Sequence, residues 1–116
     1  MDEHFKLVDL TTIEEMLFGN PDYIKEFGEA AVISFNEFKE NYSYFLLQRD
    51  EANFRKTGHK VKPVAQMLGL GMIIEEYEHA KTLLINKKPL EELAASAKKM
   101  DDICDKVLVE LKEINR

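Results

Sequence analysis

Tryptophan is absent and cysteine occurs once, as Cys104. One thiol closes no intramolecular disulfide, which fits a reducing compartment, and its helical surroundings read as a buried core thiol rather than a reactive one. Three prolines and five glycines punctuate 116 residues, too few for a loop-rich, collagenous or low-complexity chain. No run of about 18 apolar residues is present to span a membrane. The opening Met1-Asp2-Glu3-His4-Phe5-Lys6 lacks the basic then apolar order of a leader, so a cytoplasmic chain is expected. Basic residues are in deficit, 16 Lys and Arg against 22 Asp and Glu, net −6. That balance disfavours broad binding to nucleic acid or anionic membrane and points to protein partners.

What is present is helical periodicity. Thr11-Thr12-Ile13-Glu14 reads as a capping box opening a short helix to about Phe18, closed by Gly19. Asn20-Pro21-Asp22 supplies an N-cap, a first-turn proline and an acid at the positive end of the helix dipole. From Pro21 to about Gln48, Ile24, Phe27, Ala31, Phe38, Tyr42 and Phe45 recur at helical spacing. The aromatics of this stretch, Tyr23, Phe35 and Tyr44 included, read as packing rather than base-stacking, since they recur at helical spacing with only Lys25 and Lys39 among them. Asp50 can cap a third helix ending near Leu68, with Gly69 as its left-handed closing residue. Gly71 to about Ile85 and Leu90 to about Ile114 complete the set, the last with Leu93, Ala97, Met100, Ile103, Cys104, Val107 and Leu111 facing inward. The expectation is one all-α domain over residues 1–116: an antiparallel up-down four-helix bundle with a short additional N-terminal helix across one end.

On the third helix, Phe54, Val61, Ala65 and Leu68 share one face, and Arg55, His59, Lys62 and Gln66 share the other. His59 therefore faces solvent. From Ala52 to Ile74 the chain holds Arg55, Lys56, Lys60 and Lys62 with no Asp or Glu, a basic island in an acidic protein. An exposed imidazole with a cation one turn away suits transient attachment of a phosphoryl group, and an imidazole is available unprotonated near neutral pH.

The order His59-x-x-Lys62, with Gly69 ten residues on, resembles the histidine-containing phosphotransfer (HPt) domain, and as a helix pattern the resemblance extends from about Asp9 to Leu111. In that family the histidine takes a phosphoryl group from an aspartyl phosphate on a receiver domain and passes it to another receiver's Asp. The resemblance makes His59 the phosphoacceptor, Val61 the apolar residue after it, Lys62 the phosphate-facing lysine and Gly69 the helix-ending glycine. Pro63 departs from the pattern, because the family has a small residue there, commonly Gly. Lys81 falls where many HPt domains carry a polar residue reaching toward the phosphohistidine. Lys62 would stabilise the moving charge, with Lys60 and Arg55 contributing less; Gln66 either hydrogen-bonds the phosphoryl oxygens or is simply solvated. The implied partners are receiver domains, which also supply the magnesium, and a monomer without cofactor of its own is expected. An ATP-using histidine kinase is excluded, since there is neither a Gly-rich loop nor length for a nucleotide domain.

Two rivals follow from the residues. Glu76-Tyr77-Glu78-His79 holds the Glu-x-x-His order used by carboxylate-bridged di-iron bundles, but neither His4 nor His59 has a Glu three residues before it to make a second copy. The other rival is an HPt-like bundle that binds partners without transferring phosphate, for which Pro63 is the best support.

Overall fold

A computed structural model describes residues 6–114, so the leader reading at residues 1–5, His4 included, lies outside the described residues. Every regular element among those described is a helix: α1 (Thr11–Met16), α2 (Pro21–Leu47), α3 (Glu51–Met67), α4 (Gly71–Ile85) and α5 (Leu90–Ile114). No helix among them is long and apolar enough to cross a membrane.

Local chemistry sets most boundaries. Asn20 Oδ1 accepts from the backbone N–H of Asp22 and Tyr23 at 3.0 and 3.2 Å, and Pro21 opens α2 where its missing N–H costs nothing. Asp50 Oδ1 accepts from the Asn53 N–H at 3.2 Å, and its hydrogen bonds to Asn53, side chain foremost, hold its carboxyl below the usual carboxylate range. Gly69, at φ +69°, ends α3 and lets the Leu70 N–H return to the Ala65 carbonyl at 2.8 Å.

The start of α1 departs from the expected capping box. Leu10 occupies the cap position without a side-chain bond, and the Asp9 carboxylate accepts the Thr11 N–H at 2.9 Å. A carboxylate two residues upstream outcompetes a threonine hydroxyl for that donor. The Asp9 N–H in turn reaches the Leu68 carbonyl at 2.9 Å, tying the entry segment to the end of α3. The helix stops at Met16, two residues short of the expected Phe18, which instead lies in the left-handed region at φ 55° and is 94% exposed.

Among the four long helices, α2 packs against α3 and α5, and α4 packs against the same two, so they enclose a common core to which α1 adds Ile13. Within that core a run of aromatic rings crosses three helices. Phe38 meets Tyr42 at 5.5 Å between centroids, Tyr42 meets Phe54 at 5.0 Å, and Phe54 meets Tyr77 at 5.2 Å. Such pairs add about 0.5–1.5 kcal/mol each beyond the area they bury. Phe35 and Leu46 are fully buried, but Tyr23 and Tyr44, expected to pack, are 55% and 61% exposed because they fall outside the inward stripe of α2.

A chain of polar groups interrupts the apolar interior. Tyr42 Oη lies 2.8 Å from Ser96 Oγ, and Ser96 Oγ donates to Glu76 Oε2 at 2.6 Å. Lys99 Nζ closes the set on Glu76 Oε1 at 3.1 Å, so the buried carboxylate has a donor on each oxygen. Burial pushes the Tyr42 hydroxyl well above the usual phenol range.

Candidate functional site

Helix α3 sorts its side chains as its periodicity requires. Phe54, Val61, Ala65 and Leu68 are buried, and Arg55, His59 and Gln66 are exposed. His59 thus stands on the outer face of α3, eight residues beyond its first, Glu51, and eight before its last, Met67. Lys62 follows one turn later and is half-buried; Pro63 is exposed within a helix that runs on to Met67.

The residue before His59 matters as much as those after it. Gly58 is buried, and a Cβ built there would collide with Cζ, Cε1 and Cε2 of Tyr77. The missing side chain lets the tyrosine ring of α4 lie directly on the backbone of α3. There the Tyr77 hydroxyl points at the Arg55 carbonyl, 3.5 Å away, and Phe54 closes the ring's other edge. Above the ring sits the Lys81 ammonium, 5.5 Å from the centroid, within cation–π range. Lys81 is thereby held beside the stretch of α3 that carries His59. Its ammonium also pairs with Glu78 Oε1 at 2.9 Å. That hydrogen bond is the main reason the Glu78 carboxyl lies below its usual range, and the charges of Lys62 and His59 act in the same direction.

The basic island is accordingly less basic in three dimensions than along the chain. Arg55 pairs with Glu51 at 3.1 Å and Lys60 reaches across to Glu37 of α2 at 2.5 Å. The stretch from 52 to 74 does lack acids, but helix neighbours and packed helices supply them. Among the described residues Lys56 and Lys62, each three positions from His59 on α3, make no ion pair, and Lys62 is the one at the His-x-x-Lys spacing.

Geometry also separates the expected residues into those near the imidazole and those remote from it. At 1.5 Å of rise per residue, Gln66 is about 10 Å and Gly69 about 15 Å along the axis from His59. Gly69 therefore ends the helix, and Gln66 belongs to the rim of the same face. The groove between α2 and α3, lined by Glu37, Asn41, Thr57 and Lys60 among others and not by His59, offers about 20 Å³, room for about one water. An imidazole on an exposed helix face is open to a macromolecular surface.

Elsewhere, the Glu76–His79 pair lines a groove between α4 and α5 with Glu92, Ser96 and Lys99, but Glu76 is committed to Ser96 and Lys99. No group of three metal-ligating side chains occurs among the described residues. Cys104 is fully buried, and burial pushes its thiol up to about 12. The sequence alone assigns Gly58, Tyr77 and Glu78 no part in the site. A glycine inside a helix costs about 1 kcal/mol against alanine and so signals a close approach, but the identity of what approaches belongs to α4.

Comparison with known protein families, with characterised proteins and with solved structures finds no match for this chain.

Proposed function

We propose that this chain is a histidine phosphotransfer protein of the HPt kind, accepting a phosphoryl group on His59 from a receiver domain's aspartyl phosphate and passing it to the Asp of a second receiver. The observation that carries the reading is the exposed His59 in the middle of α3, with Lys62 one turn on and Lys81 held beside the same stretch by the Tyr77–Gly58 contact. In this reading α2 to α5 form an antiparallel up-down bundle, which their short connections favour, with α1 across one end. The protein acts as a cytoplasmic monomer, and the receiver brings the magnesium.

In the transfer, the lone pair of an imidazole nitrogen forms the N–P bond while the P–O bond to the receiver's carboxylate breaks and its electron pair leaves with that carboxylate. The ring's other nitrogen keeps its proton until solvent takes it. Little covalent work remains for the protein, so positioned charge dominates, and Lys62 is assigned to the phosphoryl oxygens. Arg55 and Lys60, each bound to a carboxylate, act at the docking rim with Gln66 and Pro63. The competing reading, an interaction module without transfer, draws on Pro63 and on the acids that offset the basic island.

Incubation with a phosphorylated receiver tests the proposal. Label is expected to move to this chain and to behave as a phosphoramidate, lost in acid and kept in alkali. Lys62→Ala is expected to slow that transfer by about tenfold to a hundredfold, as removal of one positioned charge does. A rate within twofold of the parent contradicts the role given to Lys62.

A further inference from the structure

We infer that Glu78 is a positioning residue that occupies Lys81 in the unmodified protein and yields it to the phosphoryl group once His59 is modified. The inference rests on the phosphotransfer reading and adds to it a rival anion built into the site.

Lys81 is held in two unequal ways. Its ammonium lies 5.5 Å from the centroid of the Tyr77 ring, which is itself fixed on Gly58, Phe54 and the Arg55 carbonyl, so the ring keeps the lysine beside α3. The same ammonium pairs with Glu78 at 2.9 Å, with the two side chains 29% and 46% exposed. An ion pair this open to water is weak and exchangeable. A head kept near α3 by the ring but paired with an exposed carboxylate makes Lys81 a cation that can change partners without the helix moving.

The rival has the stronger claim. A carboxylate brings one negative charge and two oxygens, whereas a side-chain phosphoryl group brings about −1.5 to −2 charges and three acceptor oxygens. Glu78 also lies within the electrostatic reach of both Lys62 and His59, so its charge opposes an incoming anion as well as occupying Lys81. Arg55 and Lys60 have carboxylate partners too, but Glu51 and Glu37 project from the start of α3 and from α2, and neither partner pair is fixed on the Tyr77–Gly58 contact. An ordinary i,i+3 helix pair between Glu78 and Lys81 is the plain alternative. It predicts that removing the carboxylate leaves the reactivity of His59 alone.

The test uses the full chain and potassium phosphoramidate, a small-molecule donor in which the imidazole nitrogen displaces ammonia from phosphorus, forming one N–P bond as the other breaks. Initial rates of phospho-His59 formation are read by 31P NMR for the parent, Glu78→Gln, Lys81→Gln and the double variant, with thermal midpoints measured alongside to separate rate from folding. Glu78→Gln is expected to accept about threefold faster, and Lys81→Gln about threefold slower, the size of one partly exposed ion pair. In the Lys81→Gln background the gain from Glu78→Gln should vanish, which a merely structural pair would not produce. Equal rates in the parent and Glu78→Gln overturn the inference alone. A gain that persists without Lys81 overturns the hand-over through that lysine, and absence of phospho-His59 in the parent overturns the phosphotransfer reading itself.

Discussion

A methyl group added at Gly58 meets three atoms of the Tyr77 ring, and that ring has nowhere to go, with Phe54 at one edge and Lys81 above it. Gly58→Ala therefore sets two effects against each other: alanine favours a helix interior by about 1 kcal/mol, while overpacking costs about 1–3 kcal/mol. The clash is expected to win, lowering the urea midpoint at unchanged slope, and a raised midpoint would show that Tyr77 does not pack on α3 as described. Residues of this kind mark the limit of what the chain's order reveals. The outward face of His59 and Lys62 follows from periodicity alone, since an amphipathic helix has only one dry side. Glu78 escaped because its place beside His59 depends on how α4 sits on α3, and Glu76 because its burial depends on Ser96 and Tyr42 from two other helices.

At the scale of an element, α3 is continuous through Pro63, whose nitrogen offers no proton to the carbonyl four residues back, that of His59. Pro63→Ala restores a donor for that carbonyl, and a proline in a helix interior costs up to about 3 kcal/mol relative to alanine. The variant is expected to be more stable by an amount up to that value, read from the denaturant midpoint. A destabilised variant would mean that neighbouring packing depends on the proline. Its transfer rate separates two roles: slower transfer assigns Pro63 to aiming His59, and an equal or faster rate makes the ring a mere substitute for a small residue. Helix ends were legible wherever the signal was local, as at Asn20, Asp50 and Gly69. The capping box at Thr11 failed because a competing acceptor, Asp9, stood just upstream, and Tyr23 and Tyr44 misled because aromatic character, not register, had assigned them to the core.

Across the whole molecule, Cys104 and Tyr42 are core groups whose neutral forms the fold favours. Burial pushes the Cys104 thiol from an ordinary 9.0 up to about 12 and raises the Tyr42 hydroxyl as well. A folded pKa above the unfolded one means that the stabilisation is complete below the unfolded value and lost as pH rises through the folded one. Stability is therefore expected to fall between about pH 9 and about pH 12, and Cys104→Ala should flatten that fall; urea midpoints that hold steady over this range would contradict the burial of both groups. The central claim is narrower, that one exposed imidazole on this bundle carries the phosphoryl group. Intact-mass and peptide mass spectrometry of the parent and His59→Gln after incubation with a phosphorylated receiver test it most directly. The account predicts one phosphoryl group on His59 in the parent and none in the variant, whose melting temperature stays within the roughly 4–8 °C that about 1 kcal/mol represents in a domain of this size. Phosphoryl groups on His79, label persisting in His59→Gln, or a parent that takes up none would contradict it.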